Sequence, residues 1–320
     1  MVEVKGLESD LFDLQSVDAE TKAYVEQLEV TFASVPPPYT QDINDLRASA
    51  RSGRSLFGPI AVSELAANRI IPGFSSEVAV RIFSPPKVQG IYIYFHGGGW
   101  MQGGADLQDK RLEDIALASD MVVVSVDYRL VPEHPYPVAP DDAEATALWL
   151  AKSGMSEFGT DRLIIGGESA GAHLSAVTIL RMRDKHGYTS FKGANLLYGA
   201  YDLTSTPSAR AWGDRYLVLS GKYIDWCLDL FVSKDKRSDP DVSPLYADLK
   251  GLPPALFSVG TVDPLLDDTL FMYCRWLAAG NDAEIAVYPG ATHAFPLMPI
   301  AIAQQASERC ASFMTRVINI

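Results

Sequence analysis

A run of strand-forming residues, Leu163-Ile164-Ile165-Gly166, gives way within one pentapeptide, Gly167-Glu168-Ser169-Ala170-Gly171, to a helical pattern from Ala170 to Arg183. A chain that passes from strand to helix in so few residues must turn sharply. The glycines at 167 and 171 have no Cβ, so they allow the turn and let the helix pack close to the strand. Ser169 is then left at the apex in a strained, exposed backbone position, with helix N-terminal N–H groups aimed at whatever reacts there. A bare G-x-S-x-G also occurs as a purely structural turn. The flanking strand and helix are what make it read as a nucleophile elbow.

The surrounding chain has the rhythm that such a turn needs. From about residue 77, short β-branched or aromatic runs alternate with longer helical patterns, the signature of a mostly parallel sheet with helices on both faces. The strand candidates are Val78 to Phe83, Gly90 to Phe95, Met121 to Asp127, Arg162 to Gly166, Ala194 to Tyr198, Ala255 to Val259 and Glu284 to Tyr288. Met121-Val122-Val123-Val124-Ser125-Val126 is apolar nearly throughout, as a strand buried on both faces should be. Large sheets of this class with a small lid reach 320 residues as one folded unit. With 48% hydrophobic and 21% charged residues, the chain can bury such a core and is not a disordered or fibrous protein.

Two regions break the rhythm. In residues 1–50, Ala19 to Phe32 reads as an amphipathic helix that Pro36-Pro37-Pro38 ends. Residues 203–250 hold Trp212, Tyr216, Leu217, Tyr223, Trp226, Leu228 and Phe231 between two strands, far more than an ordinary αβ loop. Both segments are expected to form a lid, or cap, on a catalytic body made of 51–202 and 251–320, although a packing extension of the core would look the same.

The second chemical element is His96-Gly97-Gly98-Gly99-Trp100, directly after the strand Ile91-Tyr92-Ile93-Tyr94-Phe95. Consecutive glycines let backbone N–H groups converge on an oxyanion without side-chain obstruction, which nominates Gly98, Gly99 and, from the elbow, Ala170 as donors. A phosphate loop is the competing reading. Its Walker or dinucleotide spacing is absent.

A serine hydroxyl needs a base, and histidine has a suitable ordinary pKa. Of the five histidines, His96 belongs to the glycine turn, where its ring should brace the loop, and His134 lies in a proline-rich stretch. His173 and His186 sit on the elbow helix, out of place for the chain order nucleophile, acid, base. His293, after the last strand candidate, fits that order. The acid should lie beyond a strand end between Ser169 and His293, and Asp263 in Gly260-Thr261-Val262-Asp263-Pro264-Leu265 does. Its structural alternative is a helix N-cap with Pro264 at the first helical position. Asp202 is the rival acid, while Asp267 and Asp268 are expected on the first turn of the next helix.

Taken together, His96-Gly97-Gly98-Gly99-Trp100, Asp127-Tyr128-Arg129-Leu130-Val131-Pro132-Glu133-His134-Pro135-Tyr136-Pro137, Gly167-Glu168-Ser169-Ala170-Gly171, Asp263-Pro264-Leu265 and His293 resemble the hormone-sensitive-lipase family, the bacterial family IV esterases, over about residues 75–320. The resemblance implies an α/β-hydrolase fold with a small helical cap. It implies Ser169 as nucleophile, Asp263 as orienting acid, His293 as base, Gly98, Gly99 and Ala170 as oxyanion donors, and His96, Gly97 and Glu168 in support. It further implies hydrolysis of short- to medium-chain carboxylic esters without metal or cofactor, and it makes a homodimer plausible. Val262 departs from the small or charged residue many members carry beside the acid. Amide hydrolysis or acyl transfer would use the same residues, and a non-catalytic ligand-binding module on this fold is the reading from another class. Retention of His293 speaks against the latter.

Composition limits the partners. A net charge of −13 repels nucleic acid and anionic membrane surfaces at long range, and favours a neutral or cationic small molecule. Met1 to Asp10 lacks the basic start and apolar run of a secretory leader, and no stretch approaches about 18 uninterrupted apolar residues, so a cytoplasmic location without stable membrane association is expected. Cys227, Cys274 and Cys310 are odd in number and widely spaced, and are expected as small buried core residues rather than as a disulfide framework or metal site.

Overall fold

The structure, a computed structural model, describes residues 7–53 and 60–319. Residues 1–6 of the stretch read for a leader, and 54–59 near the start of the 51–202 segment, lie outside the described residues.

The apolar runs pair edge to edge. Among the described residues eight strands form one sheet: β1 Ala66–Ile71, β2 Val78–Phe83, β3 Gly90–Phe95, β4 Met121–Asp127, β5 Leu163–Glu168, β6 Gly193–Leu197, β7 Ala255–Val262 and β8 Ala283–Thr292. Their spatial order is β1-β2-β4-β3-β5-β6-β7-β8. The pairs β1/β2 and β2/β4 are antiparallel, and from β4 to β8 every pair is parallel.

Because strand side chains alternate, an entirely apolar strand must bury both faces. Ile91, Ile93 and Phe95 of β3 join one core with Val122, Val124, Val126, Leu163 and Ile165. Tyr92 and Tyr94 point the other way and join Val123, Ile164 and Leu256 in a second core. Helices cover both. α4 Val138–Phe158, α5 Ala170–His186 and α8 Leu266–Ala278 contribute Leu150, Leu174 and Trp276 to the first core. α1 Ala19–Ser34, α3 Asp109–Ser119 and α9 Ala301–Val317 contribute Phe32, Leu112 and Phe313 to the second. The helix ends follow local chemistry. Asp18 caps α1 by accepting from the Thr21 N–H at 2.8 Å, and α4 and α5 end on Gly159 and Gly187 in the left-handed conformation.

Three further helices lie in the two irregular regions: α2 Ile43–Arg51, and α6 Pro207–Ala211 and α7 Gly221–Phe231 in the long insertion. The two regions touch each other. Phe32 of α1 meets Tyr216 edge-on with ring centroids 4.7 Å apart, and Arg215 donates through Nε to Glu29 at 3.1 Å. Among the described residues no helix is long and apolar enough to cross a membrane, and no group of three or more His, Cys, Asp or Glu could hold a metal ion.

Several expectations are corrected. The sheet begins earlier than residue 77, with β1, an edge strand whose Ala67, Asn68 and Ile70 are all exposed, so that it gives no alternating apolar signal. β7 runs past Val259 to Val262, and β8 past Tyr288 to Thr292, so His293 follows the strand directly. β5 starts and ends later than expected, and β6 stops one residue short of Tyr198. Cys227 and Cys310 are buried, but Cys274 is exposed, because its position on α8 faces solvent.

Candidate active site

In an open parallel sheet, the loops at the carboxyl ends of strands diverge where the winding direction reverses, and the gap between them is where ligands bind. Here that reversal falls between β3 and β5, since β4 lies to one side of β3 and β5 to the other. The register pairs Phe95 with Gly167, so the glycine turn after β3 and the elbow after β5 emerge side by side. A Cβ on Gly97 would lie only 3.4 Å from the Ser169 Cβ.

Ser169 adopts φ 55° and ψ −120°, outside the regions a non-glycine residue ordinarily occupies, and is half-buried at the head of α5. Its N–H donates to the Leu197 carbonyl at 2.9 Å and its carbonyl accepts from the His173 N–H at 3.1 Å, which ties the strained residue to β6 and to its own helix. Ser169 Oγ lies 2.9 Å from His293 Nε2, and His293 Nδ1 lies 2.9 Å from Asp263 Oδ2. A carboxylate only accepts, so Nδ1 carries the hydrogen and donates to Asp263. Nε2 is then free to accept from the serine hydroxyl. His293 is 4% exposed and Asp263 2%, so water competes little for this hydrogen-bond chain.

Asp263 is positioned from its own loop. Its Oδ1 accepts from the Leu265 N–H at 2.8 Å and its carbonyl from the Leu266 N–H at 3.1 Å. The N-cap of α8 is Leu265, so the alternative of Asp263 as N-cap with Pro264 at the first helical position does not hold. Asp267 and Asp268 do lie on the first turn of α8. Asp202, the rival acid, accepts from the Thr204 N–H at 2.8 Å and the Tyr246 hydroxyl at 3.0 Å instead.

The glycine turn is equally constrained. Gly98 has φ +112°, and a Cβ there would lie 2.2 Å from the Gln102 carbonyl oxygen, so only glycine fits. The Gly98 carbonyl accepts from the N–H groups of Met101 at 3.2 Å and Gln102 at 3.1 Å. His96 braces the turn: its Nδ1–H donates to the Gly97 carbonyl at 2.7 Å, and its ring stacks on Tyr128 with centroids 4.2 Å apart. The Tyr128 hydroxyl donates to the His96 carbonyl at 2.8 Å. Burial pushes the His96 pKa down, which keeps this ring neutral.

Glu168 is held among polar partners. It is 3% exposed, accepts from the Tyr198 hydroxyl at 3.0 Å and from the Gln108 side chain, and has Arg111 Nη1 at 3.7 Å. Tyr198 in turn presents its ring edge-on to His293 with centroids 4.8 Å apart. Sequence reasoning missed Tyr198, Gln108 and Arg111. Only Tyr198 carried a usable signal, as the residue at the carboxyl end of a strand. His134 is exposed, and His186 pairs with Glu144 at 2.8 Å, both away from the serine.

His173 supports the glycine turn from below. The Trp100 Nε1–H donates to its Nδ1 at 3.2 Å, so Nε2 carries the hydrogen and donates to the Val242 carbonyl of the insertion at 2.8 Å. Burial pushes its pKa down to about 4. The unfolded chain therefore binds a proton here that the folded chain refuses, and stability is lost as pH falls from the ordinary histidine range toward that value. Between pH 7 and pH 5 this single group should cost about 2 kcal/mol. Urea unfolding at the two pH values should show that loss, and His173→Gln should flatten the dependence by the same amount. An unchanged slope in the variant would assign the acid sensitivity elsewhere.

Comparisons with known proteins point to the same fold. A family described as alpha/beta hydrolase fold matches residues 92–297. Carboxylic ester hydrolase LipN of Mycobacterium tuberculosis is 36% identical over 236 residues, which cover 70% of this chain and 62% of that relative. Carboxylesterase NlhH of the same organism is 29% identical over 318 residues, covering 95% of this chain and 97% of the relative. Among solved structures, a hormone-sensitive lipase from a metagenome library superimposes with a TM-score of 0.82 at 26% identity, over 94% of this chain and 99% of the other.

Proposed function

The chain belongs to the alpha/beta hydrolase fold family and, within it, to the hormone-sensitive-lipase group of carboxylesterases, and on that premise we propose that it hydrolyses short- to medium-chain carboxylic esters through an acyl-enzyme on Ser169. The observation that carries this reading is the continuous Ser169–His293–Asp263 hydrogen-bond chain, with both steps at 2.9 Å.

In this mechanism His293 Nε2 takes the Ser169 proton as Oγ attacks the ester carbonyl, and the resulting imidazolium is stabilised by Asp263. Negative charge moves onto the former carbonyl oxygen, where the N–H groups of Gly98, Gly99 and Ala170 receive it. His293 then gives its proton to the departing alcohol. Water enters, loses a proton to the same nitrogen, and releases the carboxylic acid from Ser169. Asp263 keeps the imidazole in the tautomer that both half-reactions require.

In this reading the described residues of 1–50 and those of 203–250 form the cap over this site, and the described residues of 51–202 and 251–320 form the body. The contacts between α1 and Tyr216 and between Glu29 and Arg215 support a cap assembled from both segments. The interior of that cap sets acyl-chain preference.

Purified protein is expected to release p-nitrophenol from p-nitrophenyl acetate, butyrate and hexanoate, with kcat on the order of 10 per second for the preferred chain. Failure to turn over all three esters would overturn the reading.

A further inference from the structure

Arg47 on α2 donates in three directions. Its Nε–H reaches the Met101 carbonyl at 2.8 Å, Nη2 reaches the Val131 carbonyl at 2.7 Å, and Nη1 and Nη2 pair with the Glu133 carboxylate at 2.7 and 2.9 Å. Met101 and Val131 are both fully buried, where a carbonyl needs a donor. The Arg47 side chain is 21% exposed and Glu133 is 48% exposed, so the ion pair lies on the rim and the two carbonyl contacts lie beneath it.

Those carbonyls belong to a closed circuit. The Met101 N–H donates to the Gly98 carbonyl at 3.2 Å, and the Val131 N–H donates to the Trp100 carbonyl at 3.0 Å. Arg47 bridges the other side of the same two residues, Met101 and Val131. The C=O of Gly98 and the N–H of Gly99 share one planar peptide and point in opposite directions. Whatever holds the Gly98 carbonyl therefore aims the Gly99 N–H.

We propose that Arg47 is a positioning residue for the glycine turn: by fixing Met101 and Val131 it holds the Gly98–Gly99 peptide in the orientation that receives the oxyanion. The N-terminal segment then acts on the chemistry as well as on substrate access. This inference rests on the esterase reading above. An arginine suits the task because its planar fork can reach two carbonyls and a carboxylate at once, which an ammonium on a single stem cannot. The guanidinium also pulls the Glu133 carboxyl down to about 2, consistent with a charged and well-formed pair.

The split between kcat and KM distinguishes positioning from covering. Arg47→Ala, Arg47→Lys and Glu133→Gln would be compared with the unaltered protein on p-nitrophenyl acetate, with circular dichroism to show that each is folded. Arg47→Ala and Arg47→Lys are expected to lower kcat by roughly tenfold or more with KM within about twofold, the signature of a contact that matters in the transition state. Arg47→Lys carries the test if Arg47→Ala does not fold. Glu133→Gln leaves both carbonyl bonds in place and should lose less than about threefold in kcat. Unchanged kcat in the arginine variants, a rise in KM alone, or a Glu133→Gln loss as large as that of Arg47→Ala would overturn the proposal. An inactive unaltered protein would overturn the esterase reading and this inference with it, whereas an active one indifferent to Arg47→Ala would overturn this inference alone.

Discussion

Ser169→Ala and His293→Ala are each expected to lower kcat on p-nitrophenyl butyrate by roughly a millionfold, and the double variant by no more than either alone. The expectation follows from the geometry of a single hydrogen-bond chain. Oγ is 2.9 Å from Nε2, and each atom is useless to the proposed chemistry without the other. Removing the serine leaves no nucleophile, and removing the imidazole leaves a hydroxyl that holds its proton at neutral pH. Asp263→Asn should cost less, about four orders of magnitude, because it offers a donor to Nδ1 and so favours the wrong tautomer while the ring stays nearby. Losses that multiply in the double variant would mean that the two residues act in separate steps. A full-length relative of 29% identity is a carboxylesterase, so the experiment has a reasonable choice of substrate to begin with.

Gly171→Ala is expected to give a loss of stability among the largest of any single methyl addition in the site region. A Cβ there would lie 2.0 Å from the Phe95 carbonyl oxygen, 2.5 Å from its carbon and 2.7 Å from the His96 carbonyl oxygen. All three are backbone atoms at the end of β3, so no side chain can rotate away. Either α5 lifts from the sheet or β3 moves, and both are packed on buried neighbours that cannot follow without opening voids. A cost above about 4 kcal/mol is expected, in the range reserved for gross core disruption. Gly187→Ala is the matched comparison. It sits at the other end of α5 with φ +63° and nothing within 4 Å of an added Cβ, so it should cost only the left-handed strain of about 1 kcal/mol. Thermal midpoints of the two variants measure the difference. If Gly171→Ala melted alongside Gly187→Ala, the close approach of elbow helix and sheet would not be what constrains this position.

The features that the sequence makes legible are those written in contiguous residues. Met121 to Val126 announces a strand buried on both faces because no position in it alternates, and the elbow is readable because strand, glycines, serine and helix follow one another directly. The same locality explains the errors. β1 presents Asn68 and Arg69 and buries little besides Ile71, so a periodicity search passes over it. β8 continues through Pro289-Gly290, a pair that reads as a breaker, because an edge strand has one side with no ladder partner and can accept a proline there. Cys274 lies on a helix whose other face is core, and hydrophobicity alone does not reveal which face a cysteine takes.

The supporting polar groups are a different matter. Arg47 finds its carbonyl partners 54 and 84 positions away, and Glu168 finds Tyr198 across 30 and Gln108 across 60. A lone arginine on a helix ordinarily reads as a solvated residue, and only the fold brings Arg47 to the glycine turn or Arg111 beside Glu168. The reacting groups are thus legible as types in a required order. The residues that hold them in register become visible only once the chain is folded.

The central claim, that Ser169 is the nucleophile of an acyl-transfer site, is tested most directly by mapping a covalent label. The protein would be treated with a fluorophosphonate, digested, and the modified peptide sequenced by mass spectrometry, with Ser169→Ala treated in parallel. The expected result is one phosphonyl group per chain, attached to Ser169 and absent from Ser169→Ala, with loss of esterase activity in proportion to labelling. Label on another residue, or esterase activity that survives complete labelling of Ser169, would contradict the claim.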